Sequence, residues 1–199
     1  MTNVLIQAVT QAQTQEQMVT AVKNLATAKD PTAIPTLIGV FGFNNPAAAT
    51  VAVQALIDIG EIAVPELLNN IDDYNYGARA YSIRTLAAIA DPRALDVLIT
   101  AAATDFAPSV RRAAAKGLGN LNWHKLDVSA QQTAINRALD TLLFITQDSE
   151  WSIRYAAVVG LQALANHAQV RSPIMAKLQE MHLNDPEKAV RARVQLAIN

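Results

Sequence analysis

The chain has 199 residues, 51% of them hydrophobic, with 16 Lys+Arg against 17 Asp+Glu and no cysteine. That apolar content builds a folded core, the near-zero charge gives no whole-surface attraction to nucleic acid or anionic lipid, and the lack of thiols removes disulfides, thiolate metal sites and Cys nucleophiles together. No run of about eighteen apolar residues marks a membrane span; with no basic start or long apolar stretch after Met1-Thr2-Asn3-Val4, no secretory signal is expected and a cytoplasmic protein is.

Helices are expected in pairs along the whole chain, a first (A) and a second (B) helix in each. The A helices are predicted near 3–12, 32–41, 61–71, 92–103, 130–147 and 173–182, and the B helices near 16–28, 46–58, 76–90, 108–120, 151–165 and 187–198. Asp30-Pro31, Asn45-Pro46, Asp91-Pro92, Ser172-Pro173 and Asp185-Pro186 each offer a capping side chain followed by the residue best suited to a first helical turn. Gly60 reads as a helix stop, and Ser129 with Gln132 as a capping box. No stretch alternates with period two for long, so no strands are expected.

The pairs repeat in register. A Leu recurs at Leu5, Leu37, Leu67, Leu98, Leu142 and Leu178; a second mark follows at Met18, Ala49, Arg79, Arg111, Arg154 and Arg191; a large aliphatic comes seven residues later, from Leu25 through Leu56, Leu86, Leu118 and Leu161 to Ile198. A period of about thirty residues carried by helix pairs is the signature of a HEAT-type α-solenoid. The expected fold is an all-α, right-handed solenoid of six helix pairs in a single domain. Its units are 1–29, 30–60, 61–91, 92–121, 130–166 and 172–199, with an insertion at 122–129. Such arrays bind along an extended surface.

Asp73, Asp105, Asp148 and Asp185 each stand six residues before Arg79, Arg111, Arg154 and Arg191. The recurrence favours a structural ladder, each Arg reaching the Asp of a neighbouring unit, over a row of ligand-binding arginines. Taking the ladder Arg as zero and 100° per residue, a stripe beside the core face reads Tyr76, Ala80, Arg84, then Pro108, Arg112, Lys116, then Trp151, Tyr155, Val159. Aromatics beside cations suit a flat, conjugated, anionic ligand; the competing reading is that Trp151 and Tyr76 merely staple adjacent helices. His124, in the insertion after Trp123, is a candidate proton donor or ligand contact, weighed against a solvated loop histidine. No His/Asp/Glu spacing fits a metal site, and no Gly-rich phosphate loop or nucleophile elbow is present.

The segment Asp72-Asp73-Tyr74-Asn75-Tyr76-Gly77-Ala78-Arg79-Ala80-Tyr81-Ser82-Ile83-Arg84, followed by Ala90-Asp91-Pro92-Arg93-Ala94-Leu95, resembles the E/F-type phycobilin lyases of cyanobacteria. Chain length and the six-unit plan are similar to those of the smaller, F-type subunit. The resemblance implies a heterodimer with a larger E-type subunit that binds phycocyanobilin, a linear tetrapyrrole, as substrate, with no permanently bound cofactor. It implies delivery of the bilin to a cysteine of the phycocyanin α-subunit as a thioether; the thiol belongs to the acceptor, so a lyase without cysteine is consistent. A branch that also isomerises the bilin carries a His-Cys pair where this chain has Tyr76-Gly77, which argues against isomerase activity. On this reading Arg84, Arg112 and Lys116 are candidates for the bilin propionates, and Tyr74, Tyr76, Trp151 and Tyr155 for stacking or hydrogen bonding to the pyrroles. Asp72, Asp73 or Asp148 could meet pyrrole N–H groups; Asp72, Asp73 and His124 are the candidates for catalysis, with no assignment among them. The alternatives are a noncatalytic HEAT scaffold or phycobilisome-degradation adaptor and, ranked lower on charge, a HEAT glycosylase acting on DNA.

Overall fold

The computed structural model describes residues 1–72 and 74–199. Two compact units divide the chain, Met1–Ile89 and Ala90–Asn199. Among the described residues every regular element is helical, as the sequence pattern predicts.

The first unit holds α1 (Thr2–Thr10), α2 (Gln15–Thr27), α3 (Ile34–Gly39), α4 (Pro46–Ile59), α5 (Val64–Asn69) and α6 (Tyr76–Ile89). Helices α1 with α2, α3 with α4 and α5 with α6 pack as pairs, and α2, α4 and α6 stack side by side. The repeated marks are the core: Leu25, Leu37, Leu56, Leu67 and Leu86 are buried. Leu5, in α1, is only half-buried. Caps stand where the Asp/Asn-Pro signals place them. Asp30 accepts from the Thr32 N–H at 2.9 Å. Asn45 accepts from the Ala48 N–H at 3.1 Å and donates to the Gln15 carbonyl at 3.0 Å, joining α4 to α2. The apolar stretch Pro46–Asn69 is long enough by composition to cross a membrane. It breaks at Gly60, whose φ of 79° only glycine adopts freely, into two helices that bury Ala48, Ala52, Leu56, Val64 and Leu67 in the core.

The second unit holds α7 (Leu95–Thr104), α8 (Pro108–Leu118), α9 (Val128–Ile145), α10 (Trp151–Leu164), α11 (Ala168–Asn184) and α12 (Lys188–Ile198). Its A helices α7, α9 and α11 form one layer, and α8, α10 and α12 the other. Three expected starts are corrected. Helix α11 opens after His167, so Ser172 caps nothing and Pro173 lies inside the helix; the extra turn buries Val170 and Ile174, four residues apart on one face, which offsets the hydrogen bond that proline removes. Helix α9 is capped by Asp127, which accepts from the Ala130 N–H at 2.9 Å and the Ser129 hydroxyl at 2.8 Å; a carboxylate outcompetes Ser129 at the positive end of the helix. Helix α12 is capped by Glu187, because the Asp185 carboxylate is drawn to Arg154.

The insertion is structural. Trp123 is buried, the Asn122 N–H donates to the Ala90 carbonyl at 2.7 Å, and Lys125 reaches Asp91 at 3.2 Å. Hydrogen bonds from Arg93 hold the Asp91 carboxyl far below its ordinary value of 3.8, with Lys125 adding to them against the effect of burial. A depressed carboxyl stabilises the fold fully above its unfolded value and loses that contribution as pH falls through the folded one. Asp91→Asn is therefore expected to lower stability at neutral pH and to flatten its decline below about pH 4, read from chemical unfolding at a series of pH values. An unchanged acid limb would mean that Asp91 does not anchor the insertion.

Helices α8 and α10 touch backbone to backbone. A Cβ on Gly160 would collide with the Ala115 carbonyl oxygen and come within 2.7 Å of a Leu142 methyl, and one on Gly119 would collide with the Gly160 carbonyl. Alanine ordinarily gains about 1 kcal/mol over glycine inside a helix. Here the obstruction is main chain that cannot swing aside, and overpacking costs about 1–3 kcal/mol. Gly160→Ala is expected to destabilise the protein, whereas Gly39→Ala in α3, with nothing within 4 Å, is expected to be neutral or stabilising. Equal unfolding midpoints for the two variants would refute the close approach.

Candidate functional site

Four of the stripe residues meet in one cleft of the second unit. Arg112 and Lys116 are one turn apart on α8, and Trp151 and Tyr155 one turn apart on α10, spacings that put each pair on a common face. With Glu150, Ser152 and Ala189 they line a cavity of about 570 Å³, within the roughly 300–1,000 Å³ of small-molecule sites. The α10 N-terminus is built by Glu150, whose carboxylate accepts from the Ser152 N–H at 3.3 Å. The Arg112 guanidinium donates to the Ser152 hydroxyl at 3.0 Å, a neutral partner that fixes its position without cancelling its charge. Trp151 is 44% exposed, Tyr155 half-buried and Lys116 exposed. The arrangement offers two ring faces beside two cations, which can hold a flat conjugated body and pair with its carboxylates.

Other predicted site residues lie elsewhere. Tyr74 is almost fully exposed and Tyr76 mostly so. The Arg84 guanidinium lies 5.6 Å over the Tyr81 ring, a cation–π contact within its own helix. The Asp72 carboxylate accepts from the Tyr74 and Asn75 N–H groups at 2.9 and 2.8 Å, and Asp72 lines a separate cavity of about 250 Å³ in the first unit with Phe41, Glu66 and Asn70. Asp73 lies outside the described residues. His124 is exposed. Burial, and then the His124 charge, push the His167 imidazole below its ordinary 6.5. His167 follows the C-terminal end of α10, and Tyr155 is already ~14 Å from Leu164 along that helix, so His124 belongs to the far end of α8 and α10, away from the cleft. No group of three or more His, Cys, Asp or Glu suited to a metal occurs among the described residues.

The ladder arginines are committed to structure. Arg111 pairs with Asp148 and donates to the Ala102 carbonyl at 3.0 Å. Arg154 grips Asp185 through two bonds of 2.8 and 2.9 Å and donates to the Asp148 carbonyl at 2.9 Å. Asp148 is thus a ladder partner, and its second oxygen accepts from the Glu150 N–H at 2.9 Å. Glu150, Ser152 and Ala189 were not singled out in the sequence. Ser152 falls 20° beyond the stripe's edge at 100° per residue, so a slightly wider stripe includes it.

A family model for HEAT repeats matches residues 64–135. The chain is 69% identical over 197 residues to a Nostoc sp. protein named phycocyanobilin lyase subunit beta, covering 99% of this chain and 98% of that one. It is 49% identical over 191 residues to a Synechocystis sp. protein named phycocyanin alpha phycocyanobilin lyase CpcF, covering 96% and 89%. Among solved structures, a chain in the complex of CpcE and CpcF of phycocyanin lyase from Nostoc sp. superposes with a TM-score of 0.84 at 70% identity, over 85% of this chain and all of that one. A designed armadillo repeat protein, 16% identical with a TM-score of 0.54 over the full chain, shares the fold alone. With near-complete coverage at such identity, the chain belongs to the family of phycocyanobilin lyase beta subunits, the F-type phycobilin lyases.

Proposed function

We infer that this protein is the smaller subunit of a heterodimeric lyase that, with a larger E-type HEAT-repeat subunit, binds phycocyanobilin and delivers it to a cysteine of the phycocyanin α-subunit in the cytoplasm. The observation that carries this reading is the cleft that joins Trp151 and Tyr155 to Arg112 and Lys116, in a chain whose relatives bear the lyase name. The bilin is a substrate here, not a resident cofactor. Arg112 and Lys116 pair with its propionates, and Trp151 and Tyr155 stack on its pyrroles. The acceptor thiolate adds to the ethylidene group: a C–S bond forms, the double-bond electrons move into the ring system, and the thiol proton ends on the tetrapyrrole, so no atom is lost. This chain, which has no cysteine, contributes orientation, holding the ethylidene carbon for attack and excluding wrong adducts.

The test is coexpression of this chain with an E-type subunit, the phycocyanin α-subunit and phycocyanobilin. Covalently blue α-subunit that survives denaturing electrophoresis is expected from the full set, and only weak, unselective labelling when either lyase subunit is left out. The terminal helices leave Val4 and Leu196 mostly exposed, as expected of an array that works with a partner. Binding to the α-subunit without adduct in the full set would identify a scaffold instead, and efficient site-selective attachment by this chain alone would remove the need for the partner.

A further inference from the structure

One carboxylate faces the cleft of α8 and α10, and it pairs with neither of the cations there. Glu150 lines the cavity together with Arg112, Lys116 and Trp151. One of its oxygens accepts from the Ser152 N–H at 3.3 Å; its side chain makes no other hydrogen bond or ion pair among the described residues. Arg112 donates to the hydroxyl of the same Ser152 at 3.0 Å. Ser152 thus holds the guanidinium through its side chain and the carboxylate through its backbone, and the two charges do not meet. Capping alone does not require a carboxylate here. Ala107 stands at the same place after Asp105 and opens α8 with no side-chain cap, and glutamate is not among the residues that favour this position. Glu187 opens α12 in the same way as Glu150 opens α10, but it does not line the cleft. Cations beside rings admit any flat anion. An unpaired carboxylate among them selects a ligand that also donates, and a linear tetrapyrrole does both, with propionates on its outer edge and N–H groups on its inner edge.

We propose that Glu150 is a catalytic residue of bilin attachment: its carboxylate accepts from the pyrrole N–H groups and holds the tetrapyrrole as its N-protonated cation, the form that the acceptor thiolate attacks. The proposal rests on the lyase reading of this cleft. A protonated ring system is the better electron acceptor. As the C–S bond forms at the ethylidene carbon, the electron pair of the exocyclic double bond moves along the conjugated chain and neutralises the protonated nitrogen. That proton then passes to the ring carbon that bore the ethylidene, so thiolate and cation combine with nothing lost. An opposite charge within about 4–6 Å favours a charged form by about 1–3 pH units, and the low end applies in a cleft open to water. The other charged and titratable groups around the bilin are Arg112 and Lys116 on α8, which the propionates neutralise, and Tyr155 on α10. Glu187 and Lys188 flank Ala189 at the start of α12 and offset each other.

The experiment titrates phycocyanobilin bound to the complex of this chain with the E-type subunit, following the long-wavelength absorbance band, which moves to the red when the ring system is protonated. Transfer to the phycocyanin α-subunit is measured across the same pH range. Glu150→Gln keeps an oxygen for the Ser152 N–H and removes the charge. It is expected to bind bilin with near wild-type affinity and to lower the protonation midpoint by about one pH unit. Transfer is then about tenfold slower above both midpoints, and the gap closes below them. Glu150→Asp keeps the charge and is a good cap, but draws back by one methylene, so it is expected to fall between the two. Glu187→Gln, outside the cleft, is expected to change neither midpoint nor transfer. An unchanged protonation midpoint in Glu150→Gln would overturn the proposal. So would a transfer defect of equal size at every pH that follows a lowered thermal midpoint, the mark of a lost cap. A wild-type complex that takes up no bilin would overturn the lyase reading and this proposal with it, whereas unchanged protonation in a variant complex that does bind bilin overturns this proposal alone.

Discussion

Arg154→Ala and Asp185→Ala are each expected to lower stability by about 3–5 kcal/mol, the cost of leaving one member of a buried ion pair without its partner. Arg154 and Asp185 are both 8% exposed, and the pair is bidentate. The double variant is expected to lose less than the sum of the singles by roughly 0.5–3 kcal/mol. It does not return to wild type, because Arg154 also donates to the Asp148 and Ser149 carbonyls. Burial is the largest single influence and works against the Asp185 charge, but the Arg154 hydrogen bonds, the Glu187 N–H and the Arg154 and Arg191 charges together outweigh it and hold the carboxyl below 3.8. That contribution is present above the unfolded value and is lost as pH falls through the folded one, so Asp185→Asn should behave more like wild type in acid than at neutral pH. Chemical unfolding of the four-member cycle decides the matter; additive losses would mean that the two side chains stabilise the fold independently. A homologous cycle on Arg111 and Asp148 should show the same sign with a smaller coupling, since those residues pair one unit earlier through a single contact.

The ladder also shows where the sequence was legible and where it was not. Equal spacing in four units identified Asp and Arg as a structural set, but spacing alone leaves open which Asp each Arg meets. Asp105, Asp148 and Asp185 each fold a carboxylate oxygen over the N–H two residues on, at 2.8–2.9 Å, and Asp148 and Asp185 pair with the Arg of the preceding unit, not their own. The helix pairs were readable because a Leu in each A helix and an aliphatic in each B helix are needed to fill the space between them, and nearly all of these are buried. Ser172-Pro173 misled because proline is tolerated inside a helix when burial on both sides of it offsets the missing donor. Trp123, the neighbour of the candidate His124, is core, which loop composition could not show because it does not report which way a ring turns. The stripe predicted which side chains share a face of α8 and of α10. It did not predict the spacing between those helices, which Gly119 and Gly160 set through contacts that involve no side chain.

That close approach at one end and the opening at the other give the site its predicted phenotype. Trp151→Ala and Arg112→Ala are each expected to lower bilin transfer about tenfold to a hundredfold while leaving helical content and thermal midpoint nearly unchanged. Both side chains border the cleft and neither belongs to the buried core, so truncation opens no cavity, and surface changes of this kind usually stay within about 0.5 kcal/mol. A lost ring face or charged hydrogen-bond donor in a partly desolvated cleft costs more, about 1.5–3 kcal/mol for a bond to a charged group. Arg112→Lys separates charge from geometry, because an ammonium keeps the charge but loses the planar fork that reaches Ser152 and a carboxylate together; it should recover only part of the transfer. The ladder variants should show the opposite order, with stability falling before transfer does. Bilin binding and transfer at wild-type levels in both Trp151→Ala and Arg112→Ala would move the ligand out of this cleft, and the Asp72 cavity of the first unit would be the next place to test.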